Sequence, residues 1–487
     1  MHIILYILDA LRFDHLGCFG YERDISPHID AIAREGVIFL NCFSPATWTR
    51  PVAASILSGT YPGVHLTKAR YDMFTSDLER LPEVLRRNGF KTAAFSTMVN
   101  IASDIGFDKG FDHYFDLFRE SEVVKKRKKR GVHQELVNVL GNDEFVFAGA
   151  EDLNDYYFSW LAKEQYSNTF SFMWSIETHA PYEVPDEFNK FSEPEISPRL
   201  QYLCKDPRKA NKSDREGLIK LYDNTVHYND NFIGKMVAFL KEMGVYDDTL
   251  LIIASDHGES FFEHGIYSHG QIPYDELIHV PMIIKFPNGL YTGKEVRALV
   301  ELIDIFPTII EVANIPSNTY DKSVLQGYSL FPLIEGIKDQ IRFYVYSDTC
   351  PPNINVQKHW TSVRSLRWKY IKTESFIQTG RRLGTQLKAV LKKPKRILSI
   401  KHLLQIIKHR YIQKRSGEEL LYALESDPDE RINLSKEFPD VVSQFRHELE
   451  VWQSRNKELA KQIKSTTLNY EESEALRQHL AKLGYMD

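Results

Sequence analysis

Residues 3–8 read Ile-Ile-Leu-Tyr-Ile-Leu, an apolar run with no polar break, and it ends directly on Asp9. A strand with one wet face alternates apolar and polar residues. A strand apolar at every position must be covered on both faces, as in a parallel sheet. Residues 170–175 and 249–254 read as further buried strands, with polar residues close behind each. Residues 91–96 and 280–286 add two more strands. Helical patterns separate them at 26–36, 51–57, 77–88, 222–243 and 303–312. In the first, Ser26 reads as the cap, Pro27 as the opening residue and Gly36 as the stop. Gly89 closes the third. Strands alternating with helices predict an α/β fold: a mostly parallel sheet flanked by helices.

In such sheets ligands bind beyond the carboxyl ends of the strands. Asp9, His179 and the pair Asp256-His257 all stand there. Asp256 and His257 can both reach one ion if the chain turns sharply, and Gly258 would permit that turn. The bland alternative is a capping carboxylate beside a surface imidazole. Asp9 at the end of another strand favours a metal centre of Asp9, Asp256 and His257, joined by Thr49. One divalent ion is expected, manganese, zinc or calcium, with the imidazole favouring the first two. Thr49 stands at a helix entrance, where it reads as an N-cap or as a nucleophile. Positive potential at a helix start, and a metal beside it, would lower the pKa of its hydroxyl. His179 and His269 lie in polar loops, where they would bind a substrate oxyanion or protonate a leaving oxygen. His264 is a weaker candidate of the same kind.

Several segments together carry a family resemblance. Leu8 to Tyr21, Trp48 to Pro62, Gly106 to Asp112, His179 to Tyr182, Ser255 to Gly270 and Glu418 to Leu434 resemble, in order, the motifs of the sulfatase family within the alkaline phosphatase superfamily. The resemblance spans nearly the whole chain. It implies a sulfatase/alkaline-phosphatase-like fold, a metal at Asp9, Asp256 and His257, a nucleophile at Thr49, and oxyanion or leaving-group contacts from His179 and His269. Thr97 falls where many sulfatases place a sulfate-binding lysine, and Asn100 follows it; both are expected to bind substrate.

The departures are informative. Sulfatases carry a cysteine or serine at the nucleophile and convert it to formylglycine. Thr49 has a methyl group on Cβ and cannot become that aldehyde. Cys42 does not rescue the motif, because Pro45 comes one residue too late. The motif's arginine is replaced by Ala53, leaving Arg50 as the candidate substrate contact. The family's second aspartate is Ala10. A formylglycine hydrate expels sulfate by collapsing to the aldehyde, whereas a threonine ester must be displaced by water or another acceptor. The expectation is therefore a metal-dependent hydrolase or transferase for anionic phosphate esters. The alternatives are a sulfatase without formylglycine, and an inactive binding protein on the same fold.

At 487 residues the chain exceeds one small core. Residues 1–340 read as the sulfatase-like catalytic domain. Residues 341–435 read as a small antiparallel subdomain, with strands near 342–347, 361–364, 369–373 and 419–423 and a basic insertion at 375–417. Residues 436–487 read as a helical segment. Four scattered cysteines make no pair that suggests structural zinc or a disulfide framework. No secretory signal or 18-residue apolar span is apparent, so a cytoplasmic location is expected. The net charge of −5 hides an uneven distribution. Segment 375–417 holds 12 Lys or Arg and no acid, and 125–130 is six basic residues in a row. Ile397, Ile400, Leu403, Leu404, Ile407 and Tyr411 recur there at helical spacing. This predicts either a solvated helix packed on the subdomain or attachment to an anionic membrane surface or polyanion. Nucleic acid is a weaker expectation, because no recognisable binding module accompanies the charge.

Overall fold

The computed structural model describes residues 1–69, 72–120, 122–123, 148–180, 182–191, 199–200, 203, 210–350, 358–375 and 417–463. The strands of the main sheet are β1 (His2–Leu8), β2 (Val37–Phe39), β3 (Lys91–Ser96), β4 (His113–Asp116), β5 (Thr169–Ser175), β6 (Thr249–Ser255), β7 (Met282–Lys285) and β8 (Lys294–Val296). Their order across the sheet is β8-β2-β7-β6-β1-β5-β3-β4. All pairings are parallel except those of β7. The reversal has a local cause. The chain from β6 to β7 holds two short paired strands (Ser260–Phe261 and Tyr267–Ser268) and a four-residue helix (Asp275–Ile278), not the helical crossover that usually returns a strand in parallel.

β1 shows why the opening run is apolar throughout. Ile3, Leu5 and Ile7 join one core, while Ile4, Tyr6 and Leu8 join the other. Side chains alternate across the sheet, and both faces are dry. The first core is closed by α2 (Thr49–Ser58), through Val52, Ile56 and Leu57, and by Ile305–Val312. The second is closed by α1 (Pro27–Arg34), α4 (Ala150–Glu164) and α5 (Arg215–Glu242). The helix expected at 77–88 is shorter, α3 (Leu81–Arg87). Pro82 explains the late start, since proline fits only a helix's first turn. Ser26 occupies the N-cap position of α1 but makes no side-chain cap. Its Oγ accepts from Gly17 N and donates to Asp30. Asp230 of α5 takes over, accepting from the His28 and Ile29 amides at 3.1 and 2.7 Å.

A separate antiparallel sheet follows: β9 (Val345–Asp348), β10 (Lys358–Arg364), β11 (Trp368–Ser375) and β12 (Glu419–Ala423), in that order. Helix Pro439–Ala460 packs on it through Val442, Phe445, Leu449 and Trp452. Buried Lys369 joins this sheet to the main body, reaching Asp275 at 2.7 Å and Glu430 at 2.8 Å. The run 125–130 and the apolar stripe of the basic insertion lie outside the described residues. Among the described residues, no helix is long and apolar enough to cross a membrane.

Candidate active site

β1 and β6 run side by side in register, Leu8 opposite Ser255. The next residues, Asp9 and Asp256, therefore leave the sheet together. Asp9 N donates to Ser175 O of β5, and the Thr178 hydroxyl donates to Asp9 O. The carboxylates are fully buried, and each divides its oxygens. Asp9 Oδ2 accepts from Trp174 Nε1 at 2.9 Å and from Thr49 Oγ at 3.3 Å. Asp256 Oδ1 accepts from Ala10 N at 3.0 Å and His257 N at 2.8 Å. The other two oxygens, Asp9 Oδ1 and Asp256 Oδ2, are buried without a hydrogen-bond donor.

His257 Nδ1 lies 2.8 Å from Gly258 O. A carbonyl only accepts, so Nδ1 carries the proton and Nε2 presents a lone pair. That lone pair faces Asp256 Oδ2 at 3.2 Å, Asp9 Oδ1 at 3.7 Å and Thr49 Oγ at 3.5 Å. Burial raises the pKa of both carboxyls, and the charge of Asp9 adds to the rise at Asp256. Burial, then the neighbouring His269, pushes His257 well down. Gly258 serves a different purpose from the turn expected of it. A Cβ there would stand 2.0 Å from Glu276 O, so close packing is what requires glycine.

Thr49 is the first residue of α2, and Trp48 holds the N-cap position. The N-cap alternative for Thr49 is thereby removed. Thr49 forms the buried floor of the site. His179 and His269 form its half-buried rim, with ring centroids 4.8 Å apart and His269 4.3 Å from His257. His269 Nδ1 lies 3.0 Å from Glu259 Oε1. Burial works to lower the His269 pKa, but the Glu259 charge and hydrogen bond outweigh it and leave it raised.

The remaining candidates make further contacts of their own. Arg50 is buried and donates to Asn100 O at 3.0 Å and Asp72 O at 3.1 Å, so Asn100 meets it through its backbone. Thr97 Oγ donates to Trp174 O and accepts from Ile176 N, tying β3 to β5. His264, the weaker candidate, bonds to Glu276 and stacks on Tyr274 with centroids 3.6 Å apart. Sequence reasoning assigned no role to Trp174, Thr178, Tyr182 or Glu259. Tyr182 and Glu259 lay inside motifs already recognised, whereas Trp174 read as one more apolar strand residue.

A sulfatase family model matches residues 1–315. The chain belongs to the sulfatase family. A second model, described as the C-terminal part of N-sulphoglucosamine sulphohydrolase, matches 262–381. Among curated relatives, arylsulfatase K of Bos taurus is 22% identical over 470 residues, covering 87% of this chain and 76% of its own. N-acetylglucosamine-6-O-sulfatase of Bacteroides thetaiotaomicron is 23% identical, covering 69% and 71%. Among solved structures, the phosphonate monoester hydrolase of Agrobacterium radiobacter superposes with a TM-score of 0.70 at 19% identity, covering 93% of this chain and 96% of its own. The family and its relatives make the chain a sulfatase-like ester hydrolase. Sulfatase-family enzymes use a divalent metal ion. Asp9, Asp256 and His257 offer donor atoms within 4.8 Å of one another, and the donorless carboxylate oxygens suit such an ion.

Proposed function

We propose that the chain is a metal-dependent hydrolase or transferase that cleaves phosphate esters with Thr49 as nucleophile. The observation that carries this reading is the placement of Thr49 Oγ, at the start of α2, 3.3 Å from Asp9 Oδ2 and 3.5 Å from His257 Nε2. Asp9, Asp256 and His257, with the Thr49 oxygen, would hold a divalent ion, whose positive charge would lower the hydroxyl pKa and offset charge on the ester. Thr49 Oγ attacks phosphorus and passes its proton to Asp9 Oδ2. The bond to the leaving oxygen breaks, and His269 or His179 protonates that oxygen. Amides at the start of α2 hold the remaining phosphate oxygens. Water then gives a proton to the same imidazole and attacks the phosphothreonine. Oγ departs and recovers its proton; an alcohol in place of water gives transfer.

The preference for P–O cleavage rests on the side chain. Threonine cannot yield formylglycine, and the structural neighbours include phosphonate monoester hydrolases from Agrobacterium radiobacter and Silicibacter pomeroyi. The curated relatives named above favour the second reading, a sulfatase acting without formylglycine. Matched aryl phosphate monoesters, phosphate diesters and sulfate esters, assayed with manganese, zinc or calcium, separate the two. Turnover of a phosphate ester supports the proposal; turnover of the sulfate alone overturns it. A cytoplasmic location and reversible attachment to anionic membranes or polyanions through 375–417 are part of the same proposal; the segment's charge supports the attachment only.

A further inference from the structure

We propose that Glu259 is a positioning residue that aims the His269 imidazole at the leaving-group oxygen; the inference rests on the phosphate-ester reading above. Glu259 is fully buried, yet both its oxygens are matched. Oε1 lies 3.0 Å from His269 Nδ1, and Oε2 accepts from Tyr182 OH at 2.9 Å. Tyr267 OH in turn donates to Tyr182 OH at 3.3 Å, and Arg12 Nη1 holds the Glu259 carbonyl at 3.0 Å. A buried carboxylate is costly without partners of fixed geometry, so this one is placed rather than accidental.

The ring it holds needs holding. His269 sits between two residues in the left-handed region, Ser268 at φ 71° and Gly270 at φ 77°. Gly270 N docks the loop on Thr47 O, two residues before the nucleophile, at 2.8 Å. The backbone thus brings His269 to the rim, while Glu259 fixes the ring's rotation. A carboxylate on Nδ1 keeps a proton there, which leaves Nε2 to face the substrate. As phosphorus leaves the ester oxygen for Thr49 Oγ, the imidazolium gives its Nε2 proton to that oxygen and is left neutral, its remaining proton on Nδ1 toward Glu259.

A leaving-group series tests the assignment. Full-length metal-loaded enzyme and its Glu259→Gln and Thr49→Ala variants are compared on phosphate esters of dinitrophenol, nitrophenol and phenol. A proton donor matters most for the poorest leaving group. Glu259→Gln is expected to lose on the order of 100-fold in kcat/KM on the phenyl ester, a ratio that reports phosphorylation of Thr49 and not the later attack by water. Its kcat/KM should stay near wild type on the dinitrophenyl ester. An equal loss on all three esters makes Glu259 a packing residue and overturns the inference. Near-normal turnover by Thr49→Ala instead overturns the underlying reading, so the two failures are distinct. A measurement free of turnover accompanies them. Wild type should show a downfield imidazole N–H proton resonance that is absent in His269→Gln and moved upfield in Glu259→Gln, where a neutral amide oxygen replaces the carboxylate. An unshifted resonance in Glu259→Gln also overturns the proposal.

Discussion

Asp9 and Asp256 each use one oxygen to accept hydrogen bonds and leave the other bare. That division predicts the outcome of Asp256→Asn. The amide oxygen still accepts from Ala10 N and His257 N, so the chain end of β6 stays in place, but the anionic ligand oxygen is gone. Metal affinity should fall by at least about 10- to 100-fold, the scale on which even a ligand's hydrogen-bond partners act. Elemental analysis after dialysis checks this, and unchanged metal content would contradict the site. Between the two carboxylates, Ala10 holds φ 61°, a conformation costing a non-glycine residue roughly 1–2 kcal/mol. Its N–H to Asp256 and its carbonyl, which accepts from Tyr222 OH at 2.9 Å, hold it there. At this scale the sequence exposed which residues meet, because polar groups ended apolar runs. It hid what orients them. Trp174 lies within an apolar strand, and nothing in a linear pattern shows its indole N–H reaching a strand neighbour's carboxylate.

Elements position the site by where they begin. α2 starts at Thr49, so its free amides and positive end stand beside the hydroxyl. α1 shows the reverse arrangement, a carboxylate brought to a helix start from another element. Burial raises Asp230 to about 7, against the lowering effect of the Ile29 and His28 amides. A carboxyl whose folded value exceeds its unfolded value of about 3.9 adds stability below that value and loses it as pH rises through the folded one. Asp230→Asn keeps an acceptor for the amides and removes the titration. The variant should therefore gain on wild type in thermal midpoint as pH rises from about 4 to 7. Parallel curves across that window would contradict the account. Helix existence was legible from periodicity, but α4 was missed although Leu153, Tyr157, Trp160 and Leu161 mark one buried face. The strands β2, β4 and β8 were missed for a plainer reason. Each has only three or four residues, too few to display a period.

At the scale of the whole molecule, the central strand decides where chemistry occurs. β1 lies between β5 and β6, parallel to both, so three strand ends open at one place. Asp9, the His179 loop and Asp256-His257 issue from them, and α2 delivers Thr49 from the first core. The parallel sheet and the antiparallel sheet after it were both visible in the alternation of elements. The antiparallel run of β7 was not, since a strand's direction depends on its connection and not on its own residues. The central claim is that this convergence makes Thr49 the nucleophile, and Thr49→Ala tests it most directly. The account predicts a loss of several orders of magnitude in kcat on phosphate esters, with thermal midpoint unchanged. Near-wild-type turnover in metal-loaded Thr49→Ala would contradict it.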